Sequence, residues 1–172
     1  TRFKSEESTP MSNNNTAAYI RVEGTLVKRG AFALVTYMAA NGHSFSERAL
    51  RLGQLALAAP ALGIFGQTDR NLANRAAYVS LRNMSEDRIR LLADEYYTEV
   101  LRSQVRQEGV DLIKRLKKEG HHIVLLSETI DHVISPLLEG LRLGAYELVC
   151  NRLEIKNGKA TGRLTPPVVG GH

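Results

Sequence analysis

The sequence predicts an α/β fold, a parallel sheet with an inserted all-helical segment, and three stretches carry that prediction. Ala17–Leu26 reads Ala-Ala-Tyr-Ile-Arg-Val-Glu-Gly-Thr-Leu, a short apolar strand that stops at Gly24-Thr25. From about 30 to 104 the chain shows helical periodicity and no strand signal. Ile123-Val124-Leu125-Leu126 is an unbroken apolar run ending in the hydroxyl of Ser127. Runs of that kind are typical of central parallel strands covered on both faces. The right-handed crossover rule then sets the Ala18 and Ile123 strands side by side, with Arg21, Glu23 and Ser127 at one edge, where open α/β sheets present groups to ligands.

A chain of 172 residues holds one α/β domain with a helical module. Its 43% apolar and 24% charged content is that of an ordinary soluble globular chain. The lone Cys150 excludes an internal disulfide framework and fits a reducing compartment. Thr1–Asn15 is polar and lacks the apolar core of a secretory leader, so a cytoplasmic location is expected. The net charge of +5 is spread along the chain. Its densest cluster, Lys114-Arg115-Leu116-Lys117-Lys118, alternates with apolar positions as a solvated helix face does. Aromatic residues do not interleave with basic ones, which argues against a nucleic-acid platform.

Taken in order, Thr1–Thr16 reads as a mobile tail. Met11 is a candidate natural start, which would make Thr1–Pro10 vector-derived. Phe32, Leu34, Val35, Met38 and Ala39 repeat at helical spacing until Asn41-Gly42. Ser46-Glu47 opens a second helix whose Ala49, Leu50, Leu52, Leu55 and Leu57 run to Pro60. Leu52–Phe65, interrupted by Pro60 and Gly63, is the most apolar stretch and too short to span a bilayer comfortably. It reads as a helix-pair core, or else as a surface that meets a lipid, an acyl chain or a partner domain. Thr68 and Asp69 are candidate caps for Asn71–Arg82, with Leu72, Ala76 and Val79 on one side. Ser85 caps a further helix with the stripe Ile89, Leu92, Tyr96 and Val100. Val110–Gly120 is amphipathic through Val110, Leu112, Ile113 and Leu116, closed by glycine. Pro136 inside Ile130–Leu141 implies a kink or a later start. Tyr146–Cys150 reads as a short strand, and Leu153–Thr161 as a hairpin about Asn157-Gly158. The ordered pattern ends at Gly162–Pro167.

Arg21-Val22-Glu23-Gly24-Thr25-Leu26 resembles the opening motif of the haloacid dehalogenase superfamily, Asp-x-Asp-Gly-Thr-Leu after an apolar strand. Gly24, Thr25 and Leu26 match; Arg21 and Glu23 stand where the family has aspartates. The helix–Gly120-His121-His122–strand–Ser127 series is similar to the approach to the family's second motif. Asn151–Leu164 closely resembles the hairpin of the phosphoserine-phosphatase-like branch. The resemblance covers about 150 residues. It implies a Rossmannoid core from 17–29 and 105–172, a helical cap at 30–104 and a tail at 1–16. In that branch a lysine and further aspartates follow the hairpin; this sequence ends at His172 before them.

In the family the first aspartate attacks a phosphoryl group, the second acts as general acid and base, and Mg²⁺ assists. Carried over by resemblance, Arg21 stands on the nucleophile position and Glu23 on the acid/base position, where the backbone also ligates Mg²⁺. Gly24, Thr25, Ser127 and Glu128 stand on phosphate-binding positions. A guanidinium has no lone pair for phosphorus, keeps its proton at working pH and repels Mg²⁺. Arg21 and Glu23, two apart, are expected to point the same way from the strand and neutralise each other. The expectation is an inactive phosphatase-family domain that binds or regulates. The alternatives are a Mg²⁺-dependent phosphomonoester hydrolase in mutated or truncated form, and a docking or dimerising module. Domains resembling this branch are also found fused to glycerolipid acyltransferases.

The expected partners are a small phosphorylated ligand held by Arg21, a second copy or partner domain covering the open sheet edge, and a membrane meeting Leu52–Phe65. His121, His122 and His132 fall at a helix end, a strand start and a helix surface, so no metal cluster is expected of them. His43, Thr161-Gly162 and Gly170-Gly171 read as loop or turn residues.

Overall fold

The computed structural model describes residues 16–28, 30–42, 44–68 and 70–169, without the side chains of residues 58, 60–68 and 70–73. The tail before Thr16, Met11, His43, the Thr68 side chain, Asp69 and Gly170-Gly171 lie outside that description.

Four strands form one sheet in the order β1-β2-β3-β4. Strand β1 (Ala17–Arg21) lies parallel to β2 (His122–Ile130), with Ala18 opposite Ile123 and Arg21 opposite Leu126. The crossover rule therefore placed both strands correctly. Strand β3 (Glu147–Lys156) runs parallel to β2 on its other side and returns antiparallel as β4 (Lys159–Thr165). Asn157 and Gly158 both take positive φ, 51° and 69°, as the tight two-residue hairpin turn requires. The short strand expected at 146–150 and the first arm of the hairpin expected at 153–161 are one strand, β3. The polar break that suggested a boundary is Asn151, whose side chain is fully buried. Among the described residues β1 has β2 as its sole neighbour, and Tyr19 on it is 70% exposed.

Between β1 and β2 run α1 (Ala31–Ala40), α2 (Phe45–Thr68), α3 (Arg70–Tyr78), α4 (Glu86–Tyr96) and α5 (Gln107–Lys118); α6 (Asp131–Leu141) follows β2. A 3-10 turn, Val79–Leu81, closes α3. Beyond α4 the chain loosens into a π turn at Tyr97–Leu101 and a 3-10 turn at Arg102–Gln104. Helix α4 forms as its sequence dictates: the Ser85 hydroxyl accepts the Arg88 N–H at 3.3 Å, and Ile89, Leu92 and Tyr96 are buried. Such side chains stabilise by roughly 1.5–3 kcal/mol each on full burial. They join Leu34, Val35 and Met38 of α1 and Leu125, Ile130, Val133 and Leu137 in one core shared by sheet and helices.

Several expectations on the helices do not hold. The backbone of α2 is helical through Pro60 and Gly63 without a break. Leu50, Leu52 and Leu57 on it are 64%, 39% and 85% exposed, so the core reading fails for its described half. Arg51 and Leu55 face inward instead. The Arg51 guanidinium pairs with Glu47 at 2.7 Å and donates to the carbonyls of Ser80 and Arg82, docking α2 through a buried cation rather than an apolar stripe. Val79, placed on one side of the helix with Leu72 and Ala76, is 48% exposed. The helix ends at Tyr78 and tightens, which turns Tyr78 and Leu81 into the core. His132, expected on a helix surface, has a side chain only 10% exposed, wedged between Asp131 and Glu86 of α4. Helix α6 starts at Asp131 and continues past Pro136 to Leu141. Among the described residues no helix is long and apolar enough to cross a membrane.

Candidate functional site

β1 and β2 end side by side, so the residues that follow them meet at the carboxyl edge of the sheet. After Arg21 the chain leaves the strand and reverses at Gly24, which takes φ +90°. The Gly24 N–H donates to the Val27 carbonyl at 2.7 Å, and its own carbonyl accepts Arg106 Nη1 at 2.5 Å. The start of α5 is pressed against this turn. A Cβ on Gly109 would stand 2.2 Å from the Thr25 carbonyl oxygen, so only glycine fits there.

On the β2 side the register with β3 shifts between Ser127 and Ile130. Such a bulge frees residues from the ladder and re-aims them. Glu128 and Thr129, so released, turn their N–H groups toward Glu23. Four donors converge on one oxygen, Glu23 Oε1: the Ser127 hydroxyl at 2.7 Å, the Thr129 hydroxyl at 2.9 Å, and the N–H groups of Glu128 and Thr129 at 3.1 and 3.2 Å. Ser127 and Thr129 are both buried. Hydroxyl and backbone donors aimed at one point form an oxyanion cradle, and here the chain's own carboxylate fills it. Glu23 Oε2 is buried and has no hydrogen-bond partner among the described residues.

Arg21 does not pair with Glu23 as expected. The strand ends at Arg21, so Glu23 sits on the turn and the alternation rule no longer relates the two. Arg21 Nη2 instead meets Glu128 Oε1 at 2.5 Å, with side chains 50% and 15% exposed. The structure thus brings Arg21, Glu23, Gly24, Ser127 and Glu128 to one edge. The Gly24 N–H and the Ser127 hydroxyl are engaged within the chain.

Sequence reasoning missed four contributors: Thr129, Arg106, Gly109 and Asn151. Buried Asn151 donates to the Glu128 carbonyl at 2.7 Å and to the Val169 carbonyl at 3.1 Å, while its Oδ1 accepts the Val169 N–H at 2.7 Å. It thereby anchors the Glu128 backbone. The available signal was a polar residue inside an otherwise strand-like run. Cys150 stands opposite Ser127. Burial first, then the Asp131 carboxylate, pushes its thiol up to about 11, so it stays protonated near neutrality and supplies no nucleophile. Burial, reinforced by the Glu23 charge, also drives the Tyr78 phenol far above its ordinary range.

The Mg²⁺ that the resemblance implies finds no matching oxygen set. Among the described residues no group of three His, Cys, Asp or Glu side chains could hold a metal ion. Glu23 Oε1 is spent on four donors, Glu128 is paired with Arg21, and the Arg21 guanidinium adds positive charge at the same edge. Mg²⁺ demands near-octahedral oxygen ligation, which these residues do not offer.

Known proteins match this arrangement in fold. The sequence pattern of the haloacid dehalogenase-like hydrolases matches residues 22–172. No curated protein sequence matches the chain. Among solved structures, a protein of unknown function from Bordetella pertussis Tohama I is 19% identical with a TM-score of 0.67, covering 88% of this chain and 67% of that one. Phosphoserine phosphatase in its apo form is 18% identical with a TM-score of 0.54, covering 86% of this chain and 60% of its own. A probable phosphoserine phosphatase from Vibrio cholerae is 17% identical with a TM-score of 0.56, covering 91% of this chain and 44% of its own. The chain therefore spans about half to two thirds of the length of these structures. The expected superfamily is the one found, and the chain belongs to the haloacid dehalogenase-like hydrolases.

Proposed function

We propose that this chain is a phosphatase-family domain without phosphatase chemistry, acting as a binding or regulatory module. The observation that carries the reading is the convergence of four donors on Glu23 Oε1. Donors at the end of this strand would otherwise be free to hold a phosphoryl oxygen. An internal carboxylate held by them excludes an external anion by both occupancy and charge repulsion. Arg21 supports the same reading, since it cannot attack phosphorus and its charge is already engaged by Glu128. Holding a phosphorylated ligand through Arg21 requires that pair to open.

The alternative, a Mg²⁺-dependent hydrolase of phosphomonoesters seen here in altered form, is favoured by one feature: Gly24, Thr25 and Ser127 match the family's motifs. Phosphate release from an aryl phosphate, with and without Mg²⁺, separates the two. The chain as it stands is expected to release none. Release by the unaltered chain would overturn the proposal. Release only after Arg21→Asp with Glu23→Asp would identify a hydrolase scaffold disabled at those two positions.

A further inference from the structure

On the outer side of the molecule, away from Glu23, three open depressions run into one another. The first is lined by Arg82, Lys156, Lys159 and Arg163, with Glu154 as its acidic group. Arg163 is shared with the second, which adds Arg75, Val79 and Leu164. Ala76 and Val79 are shared with the third, which reaches Leu57 on α2. One continuous face therefore passes from a basic groove on the hairpin to an aliphatic patch.

The fold builds this face from parts distant in sequence. Gly162 takes φ +81°, and a Cβ there would lie 3.1 Å from Arg82 Cβ and 3.2 Å from the Val79 backbone. That glycine lets the Val79–Arg82 segment lie directly on β4, which brings Arg82 alongside Arg163. Buried Arg51 grips the Ser80 and Arg82 carbonyls and sets α2 against the same segment. Leu57 is 85% and Val79 48% exposed beside each other's depression, and Leu50 lies two helical turns before Leu57 on the same side of α2. Glu154 is committed to Lys156 at 2.9 Å and to the Thr161 hydroxyl at 2.6 Å. Positive charge is thus in surplus around the groove.

We propose that this face docks on an anionic membrane surface. Exposed aliphatic side chains continuous with a cluster of Lys and Arg are the composition of surfaces that lie on a bilayer without crossing it. The aliphatics enter the headgroup boundary and the cations meet anionic lipid. Nucleic acid suits the face less well, because the basic groove offers no aromatic platform for bases and continues into aliphatic side chains. This inference does not depend on whether the Glu23 site hydrolyses anything.

The test is co-sedimentation of the chain with phosphatidylcholine vesicles and with vesicles that also carry phosphatidylserine. Binding to the mixed vesicles, weakening with salt, is expected. Each flanking cation carries on the order of a fivefold change in partition. The combined Arg82→Glu, Lys159→Glu, Arg163→Glu variant is therefore expected to lose binding, and Leu57→Ser to weaken it. Lys114→Glu, Arg115→Glu, Lys118→Glu changes net charge equally on α5, away from the face, and is expected to retain most of it. Thermal melts of each variant separate lost binding from lost fold, and Leu57→Ser, at an exposed position, tests the face without altering charge. Absence of binding by the unaltered chain would overturn the proposal. So would equal loss in the α5 variant, or binding to a nucleic-acid duplex in place of vesicles.

Discussion

Arg21 and Glu23 stand at the carboxyl edge of the sheet, where open α/β folds offer groups to a ligand, yet each is engaged by a neighbour. Arg21 meets Glu128, and Glu23 takes four donors on one oxygen. On the β3–β4 face, Arg82, Lys159 and Arg163 stand exposed around one committed carboxylate, Glu154. The first region holds a site's position without its free valences. The second holds free charge with no inherited role. Place in a fold and availability for chemistry are separate properties, and the second must be read from hydrogen bonds and exposure.

Substitutions should feel this contrast. Gly109→Ala should give the largest loss, about 3 kcal/mol, because its methyl would collide with the Thr25 backbone and overpacking at a backbone cannot be relieved by a rotamer. Lys159→Glu, on the open face, should stay within about 0.5 kcal/mol in the same urea titration. Equal losses from the two would dissolve the distinction between a packed site and a free surface.

Thr129→Val removes one donor from a buried carboxylate and should cost about 1–2 kcal/mol by chemical denaturation. A loss no larger than that of Lys159→Glu would mean that solvent, not the protein, satisfies Glu23.

His132 is an intermediate case, a largely buried titratable side chain at the contact of α4 and α6. The hydrogen bond to Asp131, at 2.8 Å, leads the upward shift of its pKa against a smaller opposing effect of burial. Glu86 adds to the rise, while Arg90 opposes it. A raised folded pKa gives stability that is complete below the unfolded value of about 6.5 and lost as pH rises through the folded one. Asp131, held low chiefly by His132 against burial, contributes above its unfolded pKa and loses that as pH falls through its folded value. His132→Asn should therefore flatten the fall in denaturation midpoint as pH rises past about 6.5, an effect smaller than that of Thr129→Val. An unchanged slope would contradict the pairing.

The coupling between Arg21 and Glu128 should be small as well. Arg21 is half exposed, so a double-mutant cycle should give below about 1 kcal/mol, shrinking further in salt. A larger, salt-insensitive coupling would place the pair with the buried network of Glu23.

The sheet was legible in the sequence because unbroken apolar runs, a crossover of fixed hand and the Asn157-Gly158 turn are local or topological signals. The α4 stripe and its Ser85 cap were legible for the same reason. The exposure of α2 was not, since its leucines suggest burial and only the contacts of Arg51 with Ser80 and Arg82, some thirty residues on, show how the helix docks. At the site, the positions of Arg21, Glu23 and Ser127 were readable but their pairing was not. It depends on where β1 ends and on a bulge in β2, both fixed by tertiary register. Asn151 and Gly109 act through long-range contacts that leave no periodic trace.

The claim that Glu23 fills an anion cradle meets its most direct test in calorimetric titration with inorganic phosphate of the unaltered chain and of Glu23→Ala. No binding by the unaltered chain, and measurable binding by the variant once its carboxylate is gone, is the predicted result. Binding of equal strength by both, or by neither while the variant keeps its fold, would contradict it.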